Sequence, residues 1–96
     1  MTNSQLETSV GCGVLHLFFR VTPATDPTAL LAAVKGAEAD GIQAVCFSVL
    51  GHKADLGLML LGPDWVALRR AQSALAGAGL ETTYSYVSLT EVSEYA

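Results

Sequence analysis

The chain has few charged residues, and basic residues are the scarcest of them. Charged residues make up 15% of its 96 residues, and five Lys and Arg against nine Asp and Glu give a formal net charge of −4. Proteins bind nucleic-acid backbones through clustered basic side chains, so this scarcity argues against a nucleic-acid-binding protein. Long apolar runs are missing as well, because none approaches the roughly 18 residues of a membrane-spanning helix. We therefore expect neither a nucleic acid nor a membrane as a partner.

Cysteine is equally scarce and carries no motif. Cys12 and Cys46 are the only two cysteines and stand far apart in the sequence. Because they form no CxxC pair, we expect reduced thiols rather than a metal site or a disulfide framework. The first residues, MTNSQLETSVGCG, contain no basic segment followed by an apolar core, so we expect no secretory signal and a cytoplasmic location.

Apolar residues, in contrast, are abundant and make up 51% of the chain. A chain of this length buries only about 60–65% of the surface that its unfolded form exposes. An apolar surface should therefore remain after folding, and such patches usually mark an interface. We expect the protein to associate with itself or with a partner.

The hydrophobic periodicity predicts six elements in the order β-α-β-β-α-β. Four β-prone runs are VLHLFFRV after Gly13, IQAVCFSVLG, ADLGLMLLG and LETTYSYVSL. The helices between them are marked by Asp26 or Thr25 as N-cap, Pro27 and a terminal Gly41, and by Pro63, Asp64, Gly77 and Gly79. This order predicts a ferredoxin-like α+β fold, with a four-stranded antiparallel sheet and both helices on one face. Residues 1–12 are predicted to be a flexible arm and residues 13–96 one domain.

Strand alternation separates a helix-covered face from the open face, which is the side of the sheet opposite the helices. The residues predicted under the helices are Leu15, Leu17, Phe19, Val21, Leu56, Leu58, Leu60, Thr83, Ser85, Val87 and Leu89. Those predicted on the open face are His16, Phe18, Arg20, Cys46, Ser48, Asp55, Gly57, Met59, Thr82, Tyr84, Tyr86 and Ser88.

The open face admits two interpretations. It packs against a second sheet, with its phenols and other polar groups satisfied across the interface or at its rim. Alternatively, it is a pocket in which His16 or a tyrosine binds a ligand or transfers a proton. The candidate ligand-binding residues are Tyr84, Tyr86, His16 and Arg20. No metal ligand is assigned, since His16 has no second ligand at the required spacing, and no catalytic residue is assigned either.

The stretch GHKA at residues 51–54 also admits two interpretations. Glycine and polar residues between two strand patterns are typical of a hairpin connection, which this topology requires here. The polar side chains of His52 and Lys53 would instead suit a catalytic loop. The topology favours the hairpin.

Three segments together resemble the chlorite dismutase family, which includes the coproheme decarboxylases. They are VLHLFFRV, FSVLGHKADLGLMLLG and TYSYVSLTEVSEY, and the resemblance runs from about Leu15 to Tyr95. It implies a dimeric α+β barrel ancestry, with two ferredoxin-like domains in each subunit and rings of five in many members. It also implies a haem held by a histidine of a C-terminal domain that we expect this chain to lack. A tyrosine of the closing strand lies near a haem propionate in some members, which carries over only to Tyr84 and Tyr86.

The resemblance therefore implies a haem-pathway partner subunit, a chlorite dismutase-like or coproheme decarboxylase-like domain without the haem-binding half. A separate haem-domain protein would complete it as an oxidoreductase. The alternative is a stand-alone homodimer, or larger ring, that serves as a scaffold or binds a small apolar ligand. A third hypothesis is a cofactor-free oxygenase that uses His16 and the tyrosines. The isolated chain is expected to hold no cofactor, and whether it is itself an enzyme stays open.

Overall fold

The computed structural model describes residues 12–90, and its elements follow the predicted order. The strands are β1 (Gly13–Arg20), β2 (Gln43–Ser48), β3 (Leu56–Gly62) and β4 (Glu81–Leu89), and the helices are α1 (Pro27–Ala39) and α2 (Trp65–Ala76). The sheet order is β2-β3-β1-β4, and each neighbouring pair is antiparallel. The predicted ferredoxin-like α+β fold is confirmed.

Local capping signals determine where both helices begin. The Asp26 carboxylate accepts hydrogen bonds from the backbone N–H groups of Thr28 and Ala29, at 3.0 and 3.4 Å. The Asp64 carboxylate accepts one from the N–H of Val66, at 2.9 Å. Each bond satisfies a donor that has no partner inside the helix. Of the two predicted N-cap candidates of α1, Asp26 is the N-cap, and α2 begins after Pro63 and Asp64 as predicted, with Asp64 as its N-cap.

One hydrophobic core fills the space between the helices and the central strands. Its largest fully buried side chains are Leu17, Phe19, Ile42, Leu58, Leu60, Leu68 and Leu75. Each such side chain contributes about 1.5–3 kcal/mol relative to an exposed position. Small buried residues on the helices, Ala33 and Ala37 on α1 and Ala67 and Ala71 on α2, complete the cluster. Burial of β1 and β3 under the helices is confirmed.

The covered region does not extend over β4. Helix α1 contacts β2 and helix α2 contacts β3, whereas all nine residues of β4 are exposed. Ser85 and Val87 lie opposite the helix-facing Leu17 and Leu15, as predicted, and Leu89 lies opposite Gly13. The predicted burial of these three residues is wrong, because the helices lie over β2 and β3 and leave β4 uncovered. Val21 is also exposed. Strand β1 ends at Arg20, and the N–H of Val21 donates to the Asp55 carboxylate at 3.0 Å.

Strand β2 presents the face opposite to the predicted one. Cys46 lies opposite Leu58 and Ser48 opposite Leu56, and both leucines belong to the helix-covered side. The prediction that Cys46 and Ser48 lie on the open face is therefore wrong. Val45 and Phe47 lie there instead, opposite Met59 and Gly57. Small side chains on the covered side leave room for the adjacent helix α1.

A bulge in β4 changes the alternation opposite Phe18. Phe18 pairs with Tyr84, whereas Phe19 pairs with Thr82, so Thr83 is the extra residue. The Thr83 hydroxyl donates to the carbonyl oxygen of Phe18 at 3.2 Å. Since a bulge adds one residue to the period of two, the predicted sides of Thr82 and Thr83 are wrong. Thr82 lies opposite a helix-facing residue, and Thr83 borders the open face.

Cys12, the first described residue, is hydrogen-bonded to Thr90 just after β4. Cys12 is buried, and its backbone N–H donates to the Thr90 hydroxyl at 2.7 Å. The N–H of Thr90 donates in return to the carbonyl of Cys12 at 2.9 Å. Cys12 therefore lies at the end of the sheet, and residues 1–11 of the predicted arm lie outside the described residues. The division into an arm and one domain stays a prediction. Between residues 12 and 90, no helix has the length and apolarity to cross a membrane.

Candidate functional site

Five rings pack side by side on the open face, and we call them the aromatic cluster: His16, Phe18, Phe47, Tyr84 and Tyr86. Phe18 stands at its centre. Its ring centroid lies 6.1 Å from that of Phe47, 5.8 Å from that of Tyr84 and 6.4 Å from that of Tyr86. These distances fall in the range of favourable aromatic pairs. The cluster therefore forms a continuous apolar surface across three strands.

Strand β3 makes room for these rings. Gly57 lies opposite Phe18 on one side and Phe47 on the other. A Cβ at Gly57 would overlap the Phe47 ring, which therefore covers this position. Tyr84 has 61% of its surface exposed and Tyr86 has 45%. The cluster is thus supported from below by the sheet but has no cover of its own in the described chain.

His16 is held within the cluster by two contacts. Its ring stacks on Tyr86, with centroids 4.0 Å apart and planes 10° apart. Its Nε2 lies 2.9 Å from the Ser88 hydroxyl oxygen, within hydrogen-bond distance. No group of three His, Cys, Asp or Glu side chains within residues 12–90 is placed to hold a metal ion. The imidazole is therefore positioned as a fixed ring of the surface.

A cavity of about 700 Å³ opens at one end of the open face. Small-molecule sites occupy about 300–1,000 Å³, so this cavity has a suitable size. Phe18 and Arg20 of β1 form one wall, the connection from Val49 to Ala54 forms another, and Thr83 and Tyr84 complete it. The predicted hairpin connection between β2 and β3 is confirmed, and it also forms one wall of this cavity.

The cavity combines apolar side chains with two cationic ones. Phe18, Leu50 and Tyr84 supply apolar surface, whereas Arg20 and Lys53 supply positive charge. The Arg20 guanidinium donates a hydrogen bond to the backbone carbonyl of His52, which fixes its position beside the connection. No Asp or Glu belongs to the lining residues. The cavity is therefore cationic in a protein whose net charge is −4.

The four predicted ligand-binding residues all lie on the open face but form two groups. Tyr84 and Arg20 line the cavity. Tyr86 and His16 stack on each other farther along the sheet, outside the cavity lining. Phe18 contacts both groups, because it lines the cavity and neighbours both tyrosines. A role in ligand binding stays a prediction for all four residues.

The sequence analysis missed Phe47 and the cavity residues Leu50 and Thr83. Phe47 was missed because the wrong side of β2 was assigned to the open face, and Thr83 because of the bulge. One signal could have found Phe47. Gly57 has no side chain in the middle of an otherwise apolar strand, and such a position often marks the close approach of another group.

Cys46 lies on the helix-covered side rather than at the site. Cys46 is exposed, but partial burial of its thiol raises the pKa, and the charge of Glu38 on α1 raises this pKa further. A raised pKa leaves less of the nucleophilic thiolate at neutral pH. This environment disfavours a catalytic role for Cys46.

Comparison with known proteins identifies the family. The family model described as chlorite dismutase matches residues 23–96, well over half of the chain. The chain belongs to the chlorite dismutase family. The predicted family is thereby confirmed, and the matched residues include the second and third of the three segments but not VLHLFFRV.

Two solved structures show how this chlorite dismutase family chain compares in three dimensions. It is similar to a protein from Thermus thermophilus described as a novel heme-binding protein, with 29% identity and a TM-score of 0.58. That match covers 82% of this chain and 40% of the other, so the chain spans 40% of the length of that relative. A dimeric ferredoxin-like protein of unknown function from Bacteroides fragilis matches at 9% identity, with a TM-score of 0.43 and coverage of 90% and 100%. At that level the likeness says nothing about function.

Neither histidine between residues 12 and 90 is assigned as a haem ligand. An axial histidine needs an open ring nitrogen and a partner that orients the ring. His16 engages Ser88 through Nε2 and has one ring face against Tyr86. His52, the other histidine, stands in the exposed connection between β2 and β3.

Proposed function

We propose that this member of the chlorite dismutase family is a haem-pathway partner domain. Its open face packs against the sheet of a second ferredoxin-like domain, carried by a separate haem-binding chain, and the pair forms an oxidoreductase. The observation that carries this proposal is the uncovered aromatic cluster. The family membership supports a role in the haem pathway. The heme-binding relative, 40% of whose length the match covers, supports the same role.

The chemistry of the open face suits sheet-on-sheet packing. Two sheets pack about 10 Å apart through interdigitating side chains, and aromatic rings dominate the energetics of such contacts. Val45 and Met59 extend the aromatic cluster over β2 and β3. A continuous apolar surface across all four strands is what a second sheet would cover.

The polar groups of the cluster can be buried in such an interface. Burying a polar group is costly unless it is hydrogen-bonded. His16 already has Ser88 as a neighbour within hydrogen-bond distance. Each exposed phenol needs one partner at its tip, which the rim of an interface supplies. This chain then contributes the sheet surface, and the partner contributes the haem and its ligands.

The proposal is tested by isolating the tagged chain from its native cells. We expect a second chain and a haem absorbance in a fixed ratio to the tagged one. Tyr86→Lys should abolish both, because it places a charge inside the aromatic cluster. Val66→Lys is the matched control, since Val66 is an exposed apolar residue of α2 on the other side of the sheet. Equal recovery of haem with Tyr86→Lys, or recovery of the chain without haem, would contradict the proposal.

A second candidate, a stand-alone homodimer closed through two open faces, is favoured by the charge distribution. The central residues of the face, including His16, Phe18, Met59 and Tyr86, carry no acidic or basic side chain apart from the imidazole. Arg20 lies at one end of β1. Two copies could therefore approach about a two-fold axis without like charges at the centre, and two-fold dimers are the commonest assemblies.

A further inference from the structure

We propose that the cavity between Arg20 and the β2-β3 connection binds a small organic anion, with its anionic group at the cationic side chains and its apolar body against the rings. This site goes beyond the proposed partner role and does not rest on it, because residues of one chain form it. No residue of this cavity needs to take part in a reaction. The proposal concerns recognition only.

The charges of the cavity select for an anion. Arg20 and Lys53 line it, and no acidic side chain does. Glu81 lies opposite Arg20 on β4, and the carboxylate of Asp55 accepts from the N–H of Val21. Neither acid forms an ion pair with Arg20, since the ion pair found between residues 12 and 90 joins Arg70 to Asp40.

The hydrogen-bonding capacity of Arg20 supports the same conclusion. A guanidinium has five N–H donors in a planar fork. The Nη2 of Arg20 donates to the carbonyl of His52, which holds the group in place beside the connection. Other donors of the fork are left for a ligand. An anchored guanidinium without a carboxylate partner suits a carboxylate or sulfonate.

The apolar walls of the cavity determine which kind of apolar group the ligand carries. Phe18 and Tyr84 present their rings with centroids 5.8 Å apart, and Leu50 of the connection has 96% of its surface exposed. Such side chains hold an arene or a short alkyl chain while the polar groups fix its orientation. A volume of about 700 Å³ accommodates a molecule of one to three rings.

Two matched dyes test the proposal. The first is 8-anilinonaphthalene-1-sulfonate, and the second is N-phenyl-1-naphthylamine, which has the same arene without the sulfonate. Fluorescence titrations compare the native chain with the double variant Arg20→Gln/Lys53→Gln. The matched control is Lys35→Gln/Arg69→Gln, which removes two exposed positive charges of the helices. Tyr84→Ser removes one wall of the cavity.

We expect Arg20→Gln/Lys53→Gln to weaken binding of the sulfonate dye about tenfold and to change binding of the neutral dye less than twofold. The control pair should change neither dye, and Tyr84→Ser should weaken both. The proposal is overturned if the two dyes lose affinity equally, if the control pair has the same effect, or if Tyr84→Ser changes neither. If the double variant fails to fold, Lys53→Gln alone tests the proposal. It should weaken binding of the sulfonate dye about threefold and leave binding of the neutral dye unchanged.

Discussion

Replacing Gly79 by alanine should destabilise the protein more than the same substitution at Gly41 or Gly36. Gly79 combines a positive φ with close backbone contacts, Gly41 has the positive φ alone, and Gly36 has neither. Gly79 joins α2 to β4 with a φ of 85°. A Cβ there would lie 2.7 Å from the carbonyl carbon of Ala24, closer still to its oxygen, and 3.0 Å from the Cα of Thr25. These are backbone atoms, which cannot rotate away. The loop before α1 would have to move.

Three hydrogen bonds join the loop before α1 to the loop that contains Gly79. The carbonyl of Gly79 accepts from the hydroxyls of Thr22 and Thr25 at 2.8 and 2.9 Å, and the N–H of Asp26 donates to the carbonyl of Ala78 at 2.9 Å. A left-handed alanine costs roughly 1–2 kcal/mol. Overpacking adds about 1–3 kcal/mol. We therefore expect Gly79→Ala to lower the free energy of unfolding by about 2–5 kcal/mol.

Two other glycines serve as controls. Gly41 has nearly the same φ, 84°, but nothing lies within 4 Å of a Cβ there. Gly41→Ala should lower the free energy of unfolding by only about 1–2 kcal/mol, from the backbone conformation alone. Gly36 lies inside α1, also with open space around it. Gly36→Ala should stabilise the protein by about 0.5–1 kcal/mol, since alanine is the better helix former.

Urea unfolding followed by circular dichroism measures all three variants, at one protein concentration because association changes apparent stability. The free energy of unfolding should be highest for Gly36→Ala, followed by the native chain, then Gly41→Ala and finally Gly79→Ala. If Gly79→Ala were no less stable than Gly41→Ala, the close approach of the two loops would be refuted.

Three further predictions concern the connection, the thiol and haem. The double variant His52→Ala/Lys53→Ala should change the free energy of unfolding by less than about 0.5 kcal/mol, because both side chains are exposed; a larger loss in urea unfolding would show that they support the fold. Alkylation of Cys46 by iodoacetamide should be slow at neutral pH and should accelerate with rising pH through a pKa above the ordinary thiol value, since burial and Glu38 both favour the neutral thiol. Glu38→Gln should speed it, and a rate unaffected by this substitution would exclude the charge effect. Titration of the isolated chain with coproheme should give weak binding or none, whereas one-to-one submicromolar binding that is abolished by His16→Ala would make the open face a cofactor pocket.

Most of the fold could be predicted because its signals are local. The N-cap at Asp26, the glycine at residue 41 and the period of two in VLHLFFRV each act within a few residues. The order of the elements then leaves few topologies, of which the ferredoxin-like one is correct. The family, too, was predictable, because FSVLGHKADLGLMLLG and TYSYVSLTEVSEY, which lie within the residues that the family model matches, resemble its sequence pattern.

The site was predicted less completely, because its geometry depends on tertiary contacts. Alternation divides β2 into two sets but does not say which set faces α1, and so Cys46 was placed where Phe47 lies. The bulge at Thr83 depends on how β4 pairs with β1, and the residues around Thr83 give no signal of that pairing. The cavity is formed by residues far apart in the sequence, Phe18 and Tyr84 among them, and only the folded chain brings them together.

The central claim, that the open face is an interface, is tested most directly by the mass of the purified chain in solution. In the absence of another partner, we expect the aromatic cluster to pair with a second copy at micromolar concentration. Light scattering should then give a mass above the 10.0 kDa of one chain, which returns to 10.0 kDa for Tyr86→Lys but not for Val66→Lys. A native chain that stays at 10.0 kDa at every concentration, or a Tyr86→Lys variant that associates as the native chain does, would contradict the claim.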